Sequence, residues 1–252
     1  MKGAIIGDII GSRFEFNNTR STNFNLFTKA CDFTDDTICT VAVMDALMSD
    51  DLDFKNALLD WCRKYPYSMG GYGASFAKWV LGNDQQPYNS FGNGAAMRVS
   101  PCAWAFENDS YAMRAAAYSA GVTHNHPEGI IGAIAVVDAI RRLNRYKNKE
   151  QAALVEEMYY DTTFEYKRGV FDETCQGTVP VALRIIAESK SFEDAIRLAM
   201  AWRGDSDTLG AIVGSMAEAL YGVPGDIWEE ASAYLPSEMI DVVDKFYRRF
   251  VE

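Results

Sequence analysis

The sequence predicts an all-α protein, and three observations support that prediction. Apolar residues recur at steps of three and four over most of the chain, which is the period of an amphipathic helix. Alternation of apolar and polar residues with the period of a strand is scarce. A chain of 252 residues, 48% of them hydrophobic, can bury one sizeable core. Because no linker, low-complexity tract or repeat divides it, we expect a single domain over residues 1–252.

Four stretches carry the clearest helical period. In chain order they comprise Ile38, Val41, Ala42 and Met48 (interrupted by Asp45), then Gly129 to Leu143, then Glu193 to Trp202, and finally Leu209, Ile212, Val213, Met216 and Leu220. Gly210 and Gly214 lie four residues apart in the last stretch. Glycine inside a helix costs roughly 1 kcal/mol relative to alanine. We therefore expect another helix to approach the chain closely at these two glycines.

Connections are predicted where Gly, Pro and Asn gather. The segments are Tyr65 to Gly73, Asn83 to Gly94, Thr123 to Gly129 and Tyr221 to Gly225. The connection from Gly11 to Asp32 is longer, and it is polar and aromatic with no strong period. Because loops of that length are uncommon in compact domains unless they are functional, we expect this one to serve the site.

Composition argues against several kinds of partner and location. The formal net charge is −11, whereas nucleic acid and anionic membranes both attract basic patches. No apolar run reaches the roughly 18 residues of a membrane span. Asp8 cuts the N-terminal apolar stretch too short for a signal peptide. The five cysteines are odd in number and form no C-x-x-C pair, so we expect buried free thiols and a reducing, cytoplasmic compartment.

Two short acidic clusters point to the chemistry of the chain. Residues 34–37 are Thr-Asp-Asp-Thr, and residues 205–208 are Asp-Ser-Asp-Thr. An apolar helical stretch follows each cluster at once. Neighbouring residues of a helix do not share a face, so these oxygens can converge only from a loop or from the first turn of a helix. Carboxylates helped by hydroxyls are the ligands of the hard cations Ca²⁺, Mg²⁺ and Mn²⁺.

Helix capping is the competing interpretation of these clusters. Ser, Thr and Asp are favoured N-caps, and acidic residues suit the positive end of a helix. A cap needs one such side chain, whereas each cluster supplies three or four, so we favour metal binding. The absence of His and Cys from the clusters disfavours zinc, and the spacing of an EF-hand is not met. Two cations would balance four Asp carboxylates better than one.

Six segments along the chain together resemble one known family. They are Gly7 to Gly11 followed by Glu15 and Phe16, Thr34 to Thr37, Gly71 to Gly73, Ser90 to Arg98, Thr123 and His124 with Pro127, and Gly204 to Thr208. In this order they resemble the ADP-ribosylglycohydrolase family, whose members remove ADP-ribose from modified proteins or related molecules. The combination of two Asp-rich motifs with the intervening Asn-Gly-x-x-Met-Arg segment is specific, although any one segment alone is weak.

The resemblance implies a compact orthogonal helical bundle with a binuclear centre of two Mg²⁺ or Mn²⁺ ions at the mouth of a cleft. The implied metal ligands are Thr34, Asp35, Asp36, Asp205, Asp207 and Thr208. The implied substrate-binding residues are Gly71, Gly73, Ser90, Phe91, Asn93 and His124. Glu15 and Asp35 are the candidate catalytic acid or base, and we expect the long loop to supply Glu15.

Several of these residues also have a structural interpretation. The glycines of residues 89–95 would let backbone N–H groups approach a pyrophosphate, although an ordinary turn has the same composition. Phe91 could stack on adenine or could anchor the loop by packing. His124 and His126 precede Pro127 without a third metal ligand nearby, so we expect a substrate hydrogen bond from His124 and a structural role for His126.

The function implied by the resemblance is metal-dependent hydrolysis of the glycosidic bond between ADP-ribose and a modified protein side chain or small molecule. Two alternatives stay open: an ADP-ribose-binding protein with little or no turnover, and a metal-dependent phosphohydrolase. Two departures from the family pattern stand out. Arg203 precedes Gly204 where a second glycine is usual, and Tyr65 to Ala74 lacks an acidic residue that some arginine-specific members carry. The second departure weakens an assignment to arginine-linked ADP-ribose.

Overall fold

Thirteen α-helices joined by irregular connections make up the computed structural model, which describes residues 1–252. The first seven are α1 (Lys2–Ser12), α2 (Asp35–Met48), α3 (Phe54–Lys64), α4 (Ala74–Leu81), α5 (Gly94–Met97), α6 (Asp109–Gly121) and α7 (Pro127–Tyr146). The others are α8 (Glu150–Tyr159), α9 (Cys175–Glu188), α10 (Phe192–Trp202), α11 (Ser206–Tyr221), α12 (Gly225–Ser232) and α13 (Ser237–Phe250). A 3₁₀ turn at Ser100–Ala103 follows α5. The only β-type pairings are two isolated bridges, so the predicted all-α class is confirmed.

Side-chain caps fix the starts of several helices. The Thr34 hydroxyl accepts a hydrogen bond from the Asp36 N–H at the start of α2, and the Ser191 hydroxyl accepts one from the Asp194 N–H at the start of α10. His126 caps α7, and Pro127 occupies its first turn, where a missing N–H costs nothing. The connection predicted to run to Gly129 therefore ends at His126, and His126 has the expected structural role.

Helices α1 and α11 lie antiparallel at the centre of the fold with their backbones in direct contact. A Cβ atom on Gly7 would lie 1.9 Å from the Gly210 carbonyl oxygen, and one on Gly214 would lie 2.0 Å from that of Gly3. Only glycine permits this approach, which confirms the expectation of a close helix at Gly210 and Gly214. The contact places the end of α1 beside the first turn of α11.

One contiguous core surrounds this pair. Its buried residues run from Met1, the N-cap of α1, to Tyr247 in α13. α2 packs on α1, and α7, α9 and α10 pack on α11. All five cysteines are buried and free, as predicted. No helix is both long and apolar enough to cross a membrane.

Four irregular segments meet on one side of the helical core. We call them the first rim loop (residues 13–34), the second rim loop (65–73), the third rim loop (82–93) and the fourth rim loop (160–174). The sequence predicted the first three within two residues, but not the fourth. The Thr34–Met69 bridge joins the first loop to the second, and the Gly92–Thr174 bridge joins the third to the fourth.

Candidate functional site

The rim loops and the first turns of α2 and α11 enclose a cavity of about 390 Å³. Its lining includes six carboxylate side chains, those of Glu15, Asp35, Asp36, Glu173, Asp205 and Asp207. Arg98 is the one cationic side chain in the lining. With every group ionised, six negative charges and one positive charge give a net charge of −5. Like charges this close need cationic partners if they are to remain ionised.

The buried carboxylate of Asp8 on α1 organises the first acidic motif. It accepts hydrogen bonds from the backbone N–H groups of Thr34 (3.0 Å) and Thr37 (3.1 Å). It also accepts bonds from the hydroxyls of both threonines. An acceptor at the positive end of α2 satisfies amides that the helix itself leaves unpaired. The first turn of α2 is thereby fixed to α1, with Asp35 and Asp36 facing the cavity.

The second acidic motif is held by neighbours from other segments. Asp205 occupies the N-cap position of α11, but its side chain makes no capping bond. Its carboxylate instead accepts a 2.7 Å hydrogen bond from the Asn93 amide. The Thr208 hydroxyl donates to the Asp36 carboxylate at 3.1 Å, which joins the two motifs directly. Capping therefore accounts for Thr34 but not for the carboxylates of either motif.

Three buried carboxylate oxygens of residues that line the cavity have no hydrogen-bond partner. They are Oδ1 of Asp36, Oδ1 of Asp207 and Oε2 of Glu15. Buried polar atoms are almost always paired, so these oxygens need partners that the protein itself does not supply, and cations are one such partner. No group of three or more His, Cys, Asp or Glu side chains is arranged so that it could hold one metal ion by itself. Each ion would therefore also use hydroxyl, carbonyl or water oxygens, as hard cations commonly do.

Burial and mutual repulsion favour the protonated forms of the acidic groups. The pKa values of Asp35, Asp36 and Asp207 lie well above their usual range, first because of burial and second because of neighbouring carboxylates. Burial also raises the pKa of Asp8 to about 6, although its four hydrogen bonds act in the opposite direction. A divalent cation would reverse this balance by stabilising the ionised forms.

Glu15 lies in the first rim loop and faces the second acidic motif across the cavity. Its pKa is raised to about 7, mainly by burial and then by the charges of Asp205, Asp8 and Glu173. A Cβ atom on Gly70 would lie 2.5 Å from Oε2 of Glu15, so the carboxylate packs directly on the second rim loop. A carboxyl group with a pKa near neutrality is suited to proton transfer.

The second rim loop gives the cavity an open wall. Gly71 has a φ of 80°, which only glycine adopts readily. A Cβ atom on Gly71 or Gly73 would meet nothing within 4 Å, so space for a ligand lies beside both residues. The Tyr72 hydroxyl donates to the Tyr65 carbonyl at 2.7 Å, which makes Tyr72 a packing anchor of this loop.

The third rim loop and His124 form the opposite wall. The Thr123 hydroxyl lies 2.7 Å from Nδ1 of His124, and it accepts a bond from Arg98. Its own proton is thus available to Nδ1, which leaves the imidazole proton on Nε2. Nε2 faces Gly92 and Gly94. Burial and the Arg98 charge hold the pKa of His124 well below its usual value, so the ring is neutral.

Some N–H groups of the third rim loop are already paired within the protein. The Gly92 N–H donates to the Ser90 hydroxyl, and the Asn93 N–H donates to the Glu173 carbonyl. Phe91 does not line the cavity; its ring packs edge-on against His126, with the centroids 5.3 Å apart. Contacts of this loop with pyrophosphate and adenine stay predictions, because packing within the protein explains these particular groups.

The structure brings together most of the residues predicted for the site. Those lining the cavity are Glu15, Asp35, Asp36, Gly71, Gly73, Ser90, Asn93, His124, Asp205, Asp207 and Thr208. Thr34 lies just behind the lining, fully buried. Its hydroxyl donates to Asp8 and accepts from the Asp36 N–H, so one lone pair remains available to a cation.

Sequence reasoning gave no site role to Asp8, Arg98, Phe171 or Glu173. Asp8 has a signal in the sequence, because a lone acid in an otherwise apolar helix needs a buried partner. Arg98 is almost fully buried and donates to the Ser119 carbonyl and the Thr123 hydroxyl. Phe171 and Glu173 had no signal, since their position depends on how the fourth rim loop folds over the cavity.

Comparison with known proteins agrees with this geometry. The chain is 24% identical over 246 residues to the ADP-ribosyl-[dinitrogen reductase] glycohydrolase of Rhodospirillum rubrum, covering 88% of this chain and 84% of that protein. It is 26% identical over 260 residues to the ADP-ribosylarginine hydrolase Tri1 of Pseudomonas putida, covering 88% of this chain and 70% of that protein.

The fold and the family are supported independently. A solved structure described as an ADP-ribosylglycohydrolase-related protein complex has the same fold, with a TM-score of 0.77 and 24% identity, covering 98% of this chain and 95% of that one. The sequence model of the ADP-ribosylglycohydrolase family matches residues 1–251. With both acidic motifs, the glycine turn and the Asn-Gly-x-x-Met-Arg segment gathered around one cavity, the chain belongs to the ADP-ribosylglycohydrolase family.

Proposed function

We propose that this protein is a divalent-cation-dependent hydrolase that cleaves the glycosidic bond between ADP-ribose and a modified protein side chain or small molecule. The observation that carries the proposal is the cavity where the two acidic motifs meet, because three carboxylate side chains of its lining have buried oxygens without partners. Family membership and the activities named for the two relatives support the same type of reaction.

Two Mg²⁺ or Mn²⁺ ions are the cofactors that fit this set of donors. The ligands we assign are Thr34, Asp35, Asp36, Asp205, Asp207 and Thr208, which offer oxygen atoms alone. When bound, such ions neutralise the carboxylates, orient the hydroxyls of a sugar and lower the pKa of a water molecule. All other steps depend on residues of this chain.

Glu15 is the residue that we assign to proton transfer. Burial is the first cause of its raised pKa and does not depend on the cations, so Glu15 is suited to take a proton from water or give one to the leaving group. Its contact with Gly70 makes its position dependent on the second rim loop. Asp35 also lines the cavity and is the second candidate, since its pKa is raised by burial and by Asp8.

The opposite wall would bind the substrate. A neutral His124 can donate one hydrogen bond from Nε2 without adding charge. Arg98 supplies the one positive charge in the lining, which suits the two phosphates of ADP-ribose. Asn93 bonds to Asp205 and lines the cavity, so it connects substrate binding with the second acidic motif.

The proposal is tested by incubating the protein and Mg²⁺ or Mn²⁺ with a panel of defined ADP-ribose linkages. We expect release of free ADP-ribose from at least one linkage. Glu15→Gln should lower turnover by about 10²–10⁴-fold, because the amide can neither accept nor deliver the proton. Calorimetric titration with Mn²⁺ should show that this variant still binds the cation. Glu230→Gln, an exposed site on α12, is the matched control and should behave like the wild type.

Each alternative gives a different result in the same assay. Tight binding of ADP-ribose without release would indicate a binding protein. Release of AMP or phosphate would indicate a phosphohydrolase. Full turnover by Glu15→Gln would remove the assigned role of Glu15.

A further inference from the structure

Arg203, which joins α10 to the second acidic motif, has a backbone conformation that normally requires glycine. Its φ is 74° and its ψ is −175°. Side chains rarely tolerate this region, and such residues persist where the surrounding structure holds them and where strain accompanies function. We therefore expect the contacts of the Arg203 side chain to explain why this backbone conformation is kept.

Those contacts lie on the fourth rim loop. Nη2 of Arg203 donates to the Arg168 carbonyl at 3.2 Å. A Cβ atom on Gly169 would lie 2.6 Å from Cζ of Arg203, so the planar guanidinium covers the face of this glycine. The neighbouring Trp202 ring lies 4.9 Å from the Arg168 guanidinium. Two residues at the end of α10 thus contact this loop: Arg203 contacts residues 168 and 169, and Trp202 contacts the Arg168 side chain.

The fourth rim loop needs such a restraint in its middle. Its C-terminal end is fixed by the Asn93 N–H, which donates to the Glu173 carbonyl at 2.7 Å. Residues 167–171 are all exposed. Apart from the contacts with Trp202 and Arg203, this stretch is held by Phe171, which stacks on Phe16 of the first rim loop with ring centroids 6.1 Å apart. This loop carries Phe171 and Glu173 into the lining of the cavity.

The residue after Arg203 is tied to the first rim loop as well. The Asn18 amide donates to the Gly204 carbonyl and accepts from the Gly204 N–H, both at 2.9 Å. Asn18 also donates to the Glu15 carbonyl at 3.2 Å. Arg203 and Gly204 therefore join two rim loops to the motif that contains Asp205.

We infer that Arg203 is a positioning residue that clamps the fourth rim loop over the cavity, so that Phe171 and Glu173 meet the substrate. The clamp follows from the geometry alone, whereas the identity of the substrate rests on the proposed function. A strained backbone at residue 203 is the consequence of placing a guanidinium where the loop needs it.

A pair of variants separates the strain from the clamp. Arg203→Gly removes both, and Arg203→Ala removes the clamp but keeps the strain. We expect both to raise the KM for an ADP-ribosylated substrate by about tenfold, since two contact side chains must be ordered anew, while kcat and Mn²⁺ affinity change less than twofold. Tryptic cleavage after Lys167 and Arg168 should become several-fold faster in both. Arg203→Gly should melt at a higher temperature than Arg203→Ala.

Arg114→Ala, at an exposed position on α6, is the control for losing a positive charge away from the rim loops, and it should leave KM and the cleavage rate unchanged. Wild-type KM and cleavage rates in both Arg203 variants would overturn the clamp. Equal melting temperatures of the Gly and Ala variants would overturn the strain. If the wild type neither hydrolyses nor binds ADP-ribose, the proposed function fails, and the cleavage rates still decide whether Arg203 holds the loop.

Discussion

The two acidic motifs have nearly the same composition, yet the protein holds them in different ways. The first is bonded to Asp8 through four donors and capped by its own Thr34. These partners lie in α1, in the first turn of α2 and at the N-cap of α2. The second has no side-chain cap, and its Asp205 depends on Asn93 from the third rim loop. Its N-terminal neighbours are tied to the first and fourth rim loops.

The difference indicates a division of labour within one site. The first motif takes its geometry from the packed interior, so it should be insensitive to the substrate. The second motif is bonded directly to the first and third rim loops, through Asn18 and Asn93, so movement of those two loops should change the position of Ser206 and Asp205. Perturbing one motif at a time therefore separates the preformed part of the site from the part that responds to the ligand.

Removing Asp8 should have the largest effect, because it breaks the first motif from within. Asp8→Ala leaves four donors without their acceptor, and we expect a loss of roughly 3 kcal/mol in the free energy of unfolding. Relief of repulsion with Asp35 and Asp36 acts in the opposite direction but over a longer distance. Urea denaturation measures the loss, with exposed Asp60→Ala on α3 as the control. If Asp8→Ala is as stable as this control, the first motif does not depend on α1.

Divalent cations should stabilise both motifs, by an amount that depends on pH. The folded pKa values of Asp8 (about 6) and Glu15 (about 7) exceed the unfolded values near 4. Their contribution to stability is therefore greatest below about pH 4 and is lost as the pH rises through 6 and 7. A cation pairs with the ionised forms, so its stabilisation should grow with pH and reach about 2.7 kcal/mol at one hundred times the dissociation constant.

Thermal unfolding from about pH 5 to about pH 8, with EDTA or with Mg²⁺ or Mn²⁺, tests this linkage. Asp207→Asn should lose most of the stabilisation by cations, whereas exposed Asp241→Asn on α13 should keep it. A cation effect of equal size at every pH would show that the buried carboxylates do not take part.

Removing the amide that holds the second motif should have the smallest effect on stability. Asn93→Ala loses the bonds to Asp205 (2.7 Å) and to the Thr178 hydroxyl (3.2 Å), for which we expect roughly 1–2 kcal/mol. We expect the ratio of lost activity to lost stability to be larger for Asn93→Ala than for Asp8→Ala. Denaturation and turnover measured together give this ratio, with Asn23→Ala in the first rim loop as the control. A larger loss of stability than in Asp8→Ala would reverse the comparison.

The sequence predicted the parts of the fold that depend on local signals. The helical class, the helices after both acidic motifs and the first three rim loops all follow from apolar period and from Gly and Pro placement. Helix α9 is among the helices that the sequence analysis did not name, and Pro180 inside it is a residue that usually marks a break. Its packing against α7, α8 and α11 overrides that preference.

The candidate site likewise contains residues that local sequence signals identified and residues that only the fold brings together. The acidic motifs were visible because their residues are consecutive in the chain. An acid in an apolar helix signals that Asp8 needs a buried partner, but it does not identify the partners, since Thr34 and Thr37 lie 26 and 29 residues away. The clamp at Arg203 was equally hidden: its sequence signal was an unusual residue before Gly204, and only the backbone geometry shows what it does.

The glycine contact between α1 and α11 has a consequence for how this protein can change over evolutionary time. The spacing between the two acidic motifs is fixed where Gly7 meets Gly210, main chain against main chain. Because this distance is set by backbone contact, substitutions that change the size of core side chains elsewhere should leave it unaltered. A few glycines thus act as a ruler for the site, and substrate preference can diversify in the rim loops around it.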